Sequence, residues 1–450
     1  MTFPTTTPLD RWTARKIGQS GAGLLQRQHL ARYQLAALNR TLAYVRQNSP
    51  FYRRHLADLS LPLGSLDELA VLPVTTAANL RRAPLALLCV SQDRIARAVT
   101  LETSGTTGAP KRLFFTDADL ELTVDFFQHG MSTLVGPGQR VLILMPGELP
   151  GSVGDLLVRA LARMDVRGIV YGPVGDPEAA IQVALDEGID CLVGIPVQVL
   201  AMARHAQGPR LAGRIRSVLL TTDYVPNTSV AAIETEWDCR VFKHYGMTEM
   251  GLGGAVECAA RCGYHVREAD LLVEIVDPRT RRPVPDGHPG DIVFTTLTRE
   301  GMPLIRYCTG DRAAFKLQPC PCGTALRTLD TVQGRWHDHL SLGENSPPLL
   351  IGHLDEALFN IDGVLDYGAE IHPAEEAAHL MLWVAVRETE AFASLRKRIE
   401  QAVASLPAIC SAQAAGLLTV GIRPALGRTT ASIGSAKRRI HDLRERKSHP

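Results

Sequence analysis

The pattern that most limits how this chain can fold is a series of short apolar runs about two dozen residues apart, the interval of βα units. They are Val141-Leu-Ile-Leu-Met145, Gly168-Ile-Val-Tyr171, Cys191-Leu-Val-Gly194, Val218-Leu-Leu220 and Arg240-Val-Phe242. Each suits a strand and is short for a helix. Segments with helical spacing lie between them, including Asp155 to Met164 and Pro177 to Glu187. The alternation predicts an α/β fold with mostly parallel strands and helices on both faces. Ligands of such sheets bind beyond the carboxyl ends of the strands, so the polar segments there are where function is sought.

The flanking regions read differently. From about Leu30 to Leu59 apolar residues recur at helical spacing, Leu72-Pro-Val-Thr-Thr is a break, and Asn79 to Leu88 is a second short helix. After about Gly263 the texture changes to strand, turn, strand: Leu271-Leu-Val-Glu-Ile-Val-Asp-Pro, Pro285-Asp-Gly287, Asp291-Ile-Val-Phe-Thr-Thr. Beyond Gly334, Met381 to Val386 and Leu417 to Ile422 read as strands, and Phe392 to Ala404 and Ala436 to Arg446 as helices. The expected division is a large domain, 1–334, and a small carboxyl-terminal α/β domain, 335–450, on a hinge.

A chain of 450 residues has room for two domains. With 45% apolar and 21% charged residues it has the composition of a soluble globular protein. A net charge of +1 argues against a global attraction to nucleic acid or membrane, and no apolar run has the length of a bilayer span. The opening Met-Thr-Phe-Pro lacks a charged-then-apolar leader pattern, so a cytoplasmic location is expected. Oligomeric state is open, a homodimer included.

Of nine cysteines, five fall between Cys258 and Cys322, which suits a reducing compartment and a metal site better than a disulfide framework. Cys258-Ala-Ala-Arg-Cys-Gly-Tyr-His265 and Cys320-Pro-Cys322 supply two short ligand groups, and zinc takes four such donors in a tetrahedron. The preferred set is Cys258, His265, Cys320 and Cys322, with Cys262 as a substitute or free thiol, in a closed structural site. The plain alternative is a group of reduced buried thiols.

The stretch Leu101-Glu-Thr-Ser-Gly-Thr-Thr-Gly-Ala-Pro-Lys111 concentrates hydroxyls, glycines and a lysine after an apolar run. Glycines let the backbone turn tightly, and successive free N–H groups in such a turn make an anion cup. It is not a Walker loop: only Thr106 and Thr107 separate Gly105 from Gly108, and Lys111 follows Pro110. It reads as a polyphosphate-holding loop, with a plain polar surface loop as the alternative. Tyr245-Gly-Met-Thr-Glu249 puts a ring, a hydroxyl and a carboxylate on one turn, and Glu249 suits Mg²⁺. Thr309-Gly-Asp311 places a carboxylate on a tight turn, suited to ribose hydroxyls.

In this order and spacing the motifs, with Thr41 to Tyr52 and Thr295 to Tyr307, resemble the adenylate-forming superfamily and, within it, the phenylacetate–coenzyme A ligase group. The likeness runs from about Leu42 to Gly334. It implies ATP-dependent activation of a carboxylic acid, aromatic in the named group, to an acyl-adenylate, then transfer to coenzyme A. It further implies that Thr103, Ser104, Gly105, Thr106, Thr107, Gly108 and Lys111 cradle the phosphates. Glu249 then binds Mg²⁺, Tyr245 and Gly246 lie near adenine, Asp311 holds the ribose with Arg335 nearby, and the small domain swings between half-reactions. Thr248, Glu249 and Lys437 are the expected catalytic residues.

The departures from that pattern are specific. Thr221-Thr-Asp-Tyr-Val-Pro226 stands where relatives carry a Gly-Ala-Glu-Pro-like adenine contact, so Asp223 and Tyr224 are the expected substitutes. After the hinge, only Asp338 and Gly343 of Trp336 to Gly343 fit. In Gly434-Ser-Ala-Lys437, the lysine falls two residues late for the adenylation lysine, and one more basic residue on a solvated terminal helix is the rival reading. Two other functions remain: an adenylating enzyme with an acceptor other than coenzyme A, and a nucleotide-binding regulatory homologue. Phe126, Met145, Pro146 and Tyr171 are candidates for an apolar acid pocket or plain core.

Overall fold

The computed structural model describes residues 6–19, 25–101, 110–332, 334, 339–343, 346–374, 377–387, 392–425 and 438–444. The chain gathers into two compact units. One comprises Met1–Gly138, Glu148–Arg167 and Phe242–Val332; the other comprises Gln139–Gly147, Gly168–Val241 and Gln333–Pro450. The stretch expected to stand alone as 335–450 therefore shares a unit with 139–147 and 168–241.

The first unit opens with α1 (Pro8–Lys16), where Pro8 occupies the first turn and costs no hydrogen bond. α2 (Arg27–Asn48) buries Leu30, Leu38, Leu42 and Val45, and α3 (Pro50–His55) follows. The single helical stretch expected from Leu30 to Leu59 is broken because Ser49 is extended before Pro50 and caps the Tyr52 N–H. The helix expected over Asn79 to Leu88 is likewise cut. α4 (Ala77–Arg82) stops before Pro84, which opens a separate tight turn at Pro84–Leu87. Next comes a hairpin, β1 (Arg97–Leu101) and β2 (Lys111–Phe115), in unbroken antiparallel register from Arg97↔Phe115 to Leu101↔Lys111. α5 (Asp117–Met131) starts from a Thr116–Asp119 capping box and packs on α6 (Val153–Ala162).

The second unit holds the alternation expected from the apolar runs. β3 (Arg140–Ile143), β4 (Arg167–Val170), α7 (Pro177–Asp186), β5 (Cys191–Gly194), α8 (Pro196–Arg204), β6 (Ser217–Leu220) and α9 (Asn227–Trp237) follow in turn. β3, β5 and β6 pair in parallel, with β4 on the other side of β3. β5 and β6 are buried throughout, as strands covered on both faces must be.

β7 (Arg240–Tyr245), β8 (Ala255–Glu257) and β9 (Tyr264–Val266) turn antiparallel. The expected β region is a three-stranded antiparallel sheet of β10 (Leu271–Val276), β11 (Gly290–Thr296) and β12 (Tyr307–Ala313). β13 (Thr328–Leu329) returns to pair with β9. Arg306, 1% exposed, braces the start of β12: it is held by both oxygens of Glu274 at 2.9 and 3.0 Å and donates to the Leu72 carbonyl at 2.7 Å.

The last stretch contributes α10 (Ile351–Phe359), β14 (Val364–His372), β15 (Ala378–Val386), α11 (Phe392–Ala404), α12 (Pro407–Ala414), β16 (Leu418–Pro424) and β17 (Ile440–Asp442) to the second unit. The sheet order is β16-β15-β14-β17. Leu395, Ile399 and Val403 on one face of α11 join Leu380, Leu382 and Val384 of β15 in a core that also contains Leu142, Leu192 and Val218. Each such side chain stabilises the fold by roughly 1.5–3 kcal/mol. That common core is why the stretch belongs with the parallel strands. The helix expected from Ala436 to Arg446 is overturned at residues 440–442, which form β17 because β14 offers them a free parallel edge.

Candidate active site

The hairpin explains how the glycine-rich stretch is presented. Thr103, Ser104, Gly105, Thr106, Thr107 and Gly108 lie outside the described residues, but the Leu101↔Lys111 pairing joins the two ends of their loop. Paired strands lie about 5 Å apart, so Leu101 and Lys111 form a fixed pair at the two ends of that stretch. Along β2 the side chains of Lys111 and Leu113 are buried while Arg112 is exposed. The lysine therefore points inward.

It meets Glu249. β7 delivers Tyr245, and Gly246 follows where a Cβ would come 2.1 Å from the Leu252 carbonyl, so only glycine fits. The chain then makes one tight turn, Thr248–Met250, with Thr248 half-buried and Glu249 2% exposed. Lys111 Nζ donates to Glu249 Oε1, Tyr307 Oη donates to the same oxygen at 3.1 Å, and Arg299 donates to the Glu249 carbonyl at 2.9 Å. Burial alone drives the Glu249 carboxyl up, but the Lys111 charge and hydrogen bonds outweigh it and hold the group below its ordinary range. A buried, ionised carboxylate thus stands at the root of the loop. Tyr307 and Arg299 were not legible as site residues; the one available signal was basic and aromatic residues within Thr295 to Tyr307.

The turn also reaches Asp311. Tyr245 Oη donates to Asp311 Oδ2 at 2.8 Å. Asp311, expected on a tight turn, lies inside β12 at a local distortion of the strand. The register there slips, so that Thr309, Gly310 and Asp311 oppose Ile292 alone. Gly310 takes φ +79° and Thr309 Oγ1 donates to the Ile292 carbonyl at 2.9 Å. The distortion is a bulge, which re-aims a side chain without ending the strand.

In the second unit, Asp223 and Tyr224 sit beyond the carboxyl end of β6, where ligands of parallel sheets bind. Asp223 Oδ1 accepts the Tyr224 N–H at 2.9 Å and Oδ2 accepts the Arg438 N–H at 3.0 Å. Tyr224 Oη donates to Glu356 at 2.9 Å. Arg335, Lys437 and Asp338 lie outside the described residues. Phe126 is core, 1% exposed between Trp12 and Phe127.

The cysteine pairs converge. The ligand atoms of Cys258, His265, Cys320 and Cys322, all buried, lie within 4.8 Å of one another. Cys322 Sγ is 3.4 Å from His265 Nε2, and His265 Nδ1 meets Thr328 Oγ1 at 3.3 Å, which orients the ring. The hydrogen bond from Cys258, aided by His265 against the effect of burial, pulls the Cys322 thiol down to about 3. The same bond and burial push Cys258 up. Cys262 turns aside to the Ala260 carbonyl at 3.1 Å.

The family described as AMP-binding enzyme matches residues 91–297, from just before the hairpin to the residue after β11. The phenylacetate-coenzyme A ligase of Thermus thermophilus is 31% identical over 334 residues, 70% of this chain and 72% of that one. That of Escherichia coli K12 is 28% identical over 323 residues, 68% and 71% of the two chains. A crystal structure of 2-hydroxyisobutyryl-CoA ligase with 2-HIB-AMP superposes with a TM-score of 0.78, covering 92% of this chain and 90% of that one; at 19% identity it speaks for the fold. With Lys111 on Glu249 and Tyr245 on Asp311, and with relatives of this identity and coverage, the chain belongs to the phenylacetate–coenzyme A ligase family of AMP-binding enzymes.

Proposed function

We propose that the protein is an AMP-forming acid–coenzyme A ligase acting on an aromatic carboxylic acid. The observation that carries this is the buried Lys111–Glu249 pair at the base of the glycine-rich hairpin, in a chain whose four curated relatives are all phenylacetate-coenzyme A ligases. In the first half-reaction a carboxylate oxygen of the acid attacks the α-phosphorus of ATP and pyrophosphate leaves. In the second, the coenzyme A thiolate attacks the acyl carbonyl and AMP leaves.

Such chemistry asks the protein for position and charge. The Thr103 to Gly108 loop holds the triphosphate and Lys111 offers it a positive charge. Asp311 holds ribose hydroxyls, itself oriented by Tyr245, and Asp223 and Tyr224 take the base. Thr248, Arg335 and Lys437 are assigned from the family pattern. Glu249 fits a magnesium ligand, being a buried, ionised carboxylate beside the phosphate loop that already balances a cation. Bound magnesium would neutralise phosphate charge there.

Cys258, His265, Cys320 and Cys322 fit zinc: four buried donors, one already drawn to thiolate, with the histidine oriented by Thr328. Four protein donors leave no open position, so the ion is structural. The cytoplasm, which keeps such thiols reduced, is the proposed location.

The test is pyrophosphate release with ATP and a panel of aryl and aliphatic acids, followed by addition of coenzyme A and detection of thioester by mass. Aryl acids are expected to give both products. Pyrophosphate from no acid overturns the ligase reading; pyrophosphate without thioester reassigns the acceptor.

A further inference from the structure

Arg438 precedes β17 with its guanidinium sunk into the second unit, its side chain 15% exposed. It pairs with Asp355 at 3.1 Å and with Asp366, and lies over the rings of Tyr367 at 4.5 Å and Phe359 at 5.1 Å. Tyr367 Oη donates to Asp355 at 2.7 Å. The backbone N–H of Arg438 is the one that Asp223 accepts. Next along the chain, Tyr224 is held by Glu356 through its hydroxyl and by α10 through its ring, which lies 3.2 Å from where a Cβ on Gly352 would stand.

Between β6 and Asp223 stands Thr222, at φ +81°. A β-branched residue in the left-handed region is a strained backbone outlier, and it persists only where its surroundings over-determine it. Thr222 Oγ1 meets Met145 Sδ at 3.8 Å, and the two residues after it are held by Arg438, Glu356 and Gly352. A buried ion cluster adds little net stability over apolar packing of the same volume; its best-attested use is to select one geometry. The geometry selected is that of Thr222 to Tyr224.

We propose that Arg438 is a positioning residue for the nucleotide: by joining Asp223 to Asp355 and Asp366, it holds the strained Thr222–Tyr224 step in the form that receives the base and couples that step to β17. This rests on the reading of Asp223 and Tyr224 as base-contacting residues. Occupancy of the base site then registers in β17, and loosening β17 weakens nucleotide binding.

The test uses the full-length protein as wild type, Arg438→Lys and Arg438→Met. Calorimetry gives AMP affinity, hydrogen exchange follows peptides 221–226 and 438–444 with and without AMP, and pyrophosphate exchange separates KM for ATP from kcat. In the wild type AMP is expected to slow exchange in both peptides. R438M is expected to weaken AMP about tenfold, to raise KM more than it lowers kcat, and to lose the AMP-dependent protection of 438–444. R438K, which keeps the charge, is expected to restore most of the affinity. Should R438M not fold, Asp366→Asn removes one partner while Asp355 remains, and a loss of about threefold is expected. Unchanged AMP affinity in the folded variants, or wild-type protection of 221–226 without 438–444, overturns the coupling while the ligase reading stands. A wild type that binds no AMP overturns both.

Discussion

At Glu249 the carboxylate is almost fully buried, and its charge is tolerated because Lys111 and Tyr307 converge on one oxygen. Removing one partner of a buried pair leaves the other charge uncompensated, at a cost of about 3–5 kcal/mol. Lys111→Met is therefore expected to lower the unfolding free energy by that order in urea titration and to abolish adenylation. Tyr307→Phe removes one hydrogen bond and is expected to cost about 1 kcal/mol. Asp355 behaves oppositely. Burial is the main cause that lifts its carboxyl from 3.8 to about 6, so the folded state holds that proton more tightly than the unfolded chain. Its contribution to stability is fully present below pH 3.8, falls as pH rises towards about 6, and levels off above it. Asp355→Asn is expected to flatten the stability profile in that window by on the order of 1–3 kcal/mol, read from denaturant midpoints between pH 4 and 7. An unchanged profile would mean that Asp355 does not titrate there.

Elements carry what single residues cannot. The β1–β2 register brings Lys111 back to the base of its own loop, and the β12 bulge lets Asp311 meet Tyr245. Beyond β6, the strain at Thr222 gives a test with opposed signs. Thr222→Gly accepts the positive φ freely and is expected to raise stability by about 1 kcal/mol while weakening AMP binding. A glycine variant that binds AMP as tightly as wild type would show the strain to be incidental. The short strands β8, β9 and β13 are tied by the Cys/His cluster. One zinc per chain is expected by elemental analysis, and Cys320→Ser or prolonged chelation is expected to release it and lower the melting temperature. Protein purified without any metal and equally stable would leave three reduced thiols and a histidine in place of a site.

Across the whole molecule, residues 333–450 belong with 139–147 and 168–241 because they complete one apolar core. A chain ending at Gly334 strips that core of Leu358, Val384 and Ile399 and is expected to bind hydrophobic dyes and melt earlier than the full chain. A truncated chain as stable as the intact one would show that the last stretch is an independent domain. The βα alternation, the strands β5, β6, β10 and β11 and the helix Phe392–Ala404 were legible because period and composition are local properties. The four zinc-type donors were legible from ligand chemistry and spacing, and the structure brings those same four together. Helix breaks at Ser49 and Pro84 were misjudged because single residues decide them. β17 was misjudged because its strand form depends on the free edge of β14, far away in sequence.

The amino-acid order alone thus determined the fold class, the motifs and the resemblance to a family, since those depend on residue identity and on neighbours a few positions apart. Tertiary structure alone decided that Lys111 balances Glu249, that Tyr245 grips Asp311 and that Arg438 anchors Asp223. Each joins groups separated by 66 to 215 positions. Which buried charge meets which partner follows from the packing of whole elements, and no local pattern encodes it.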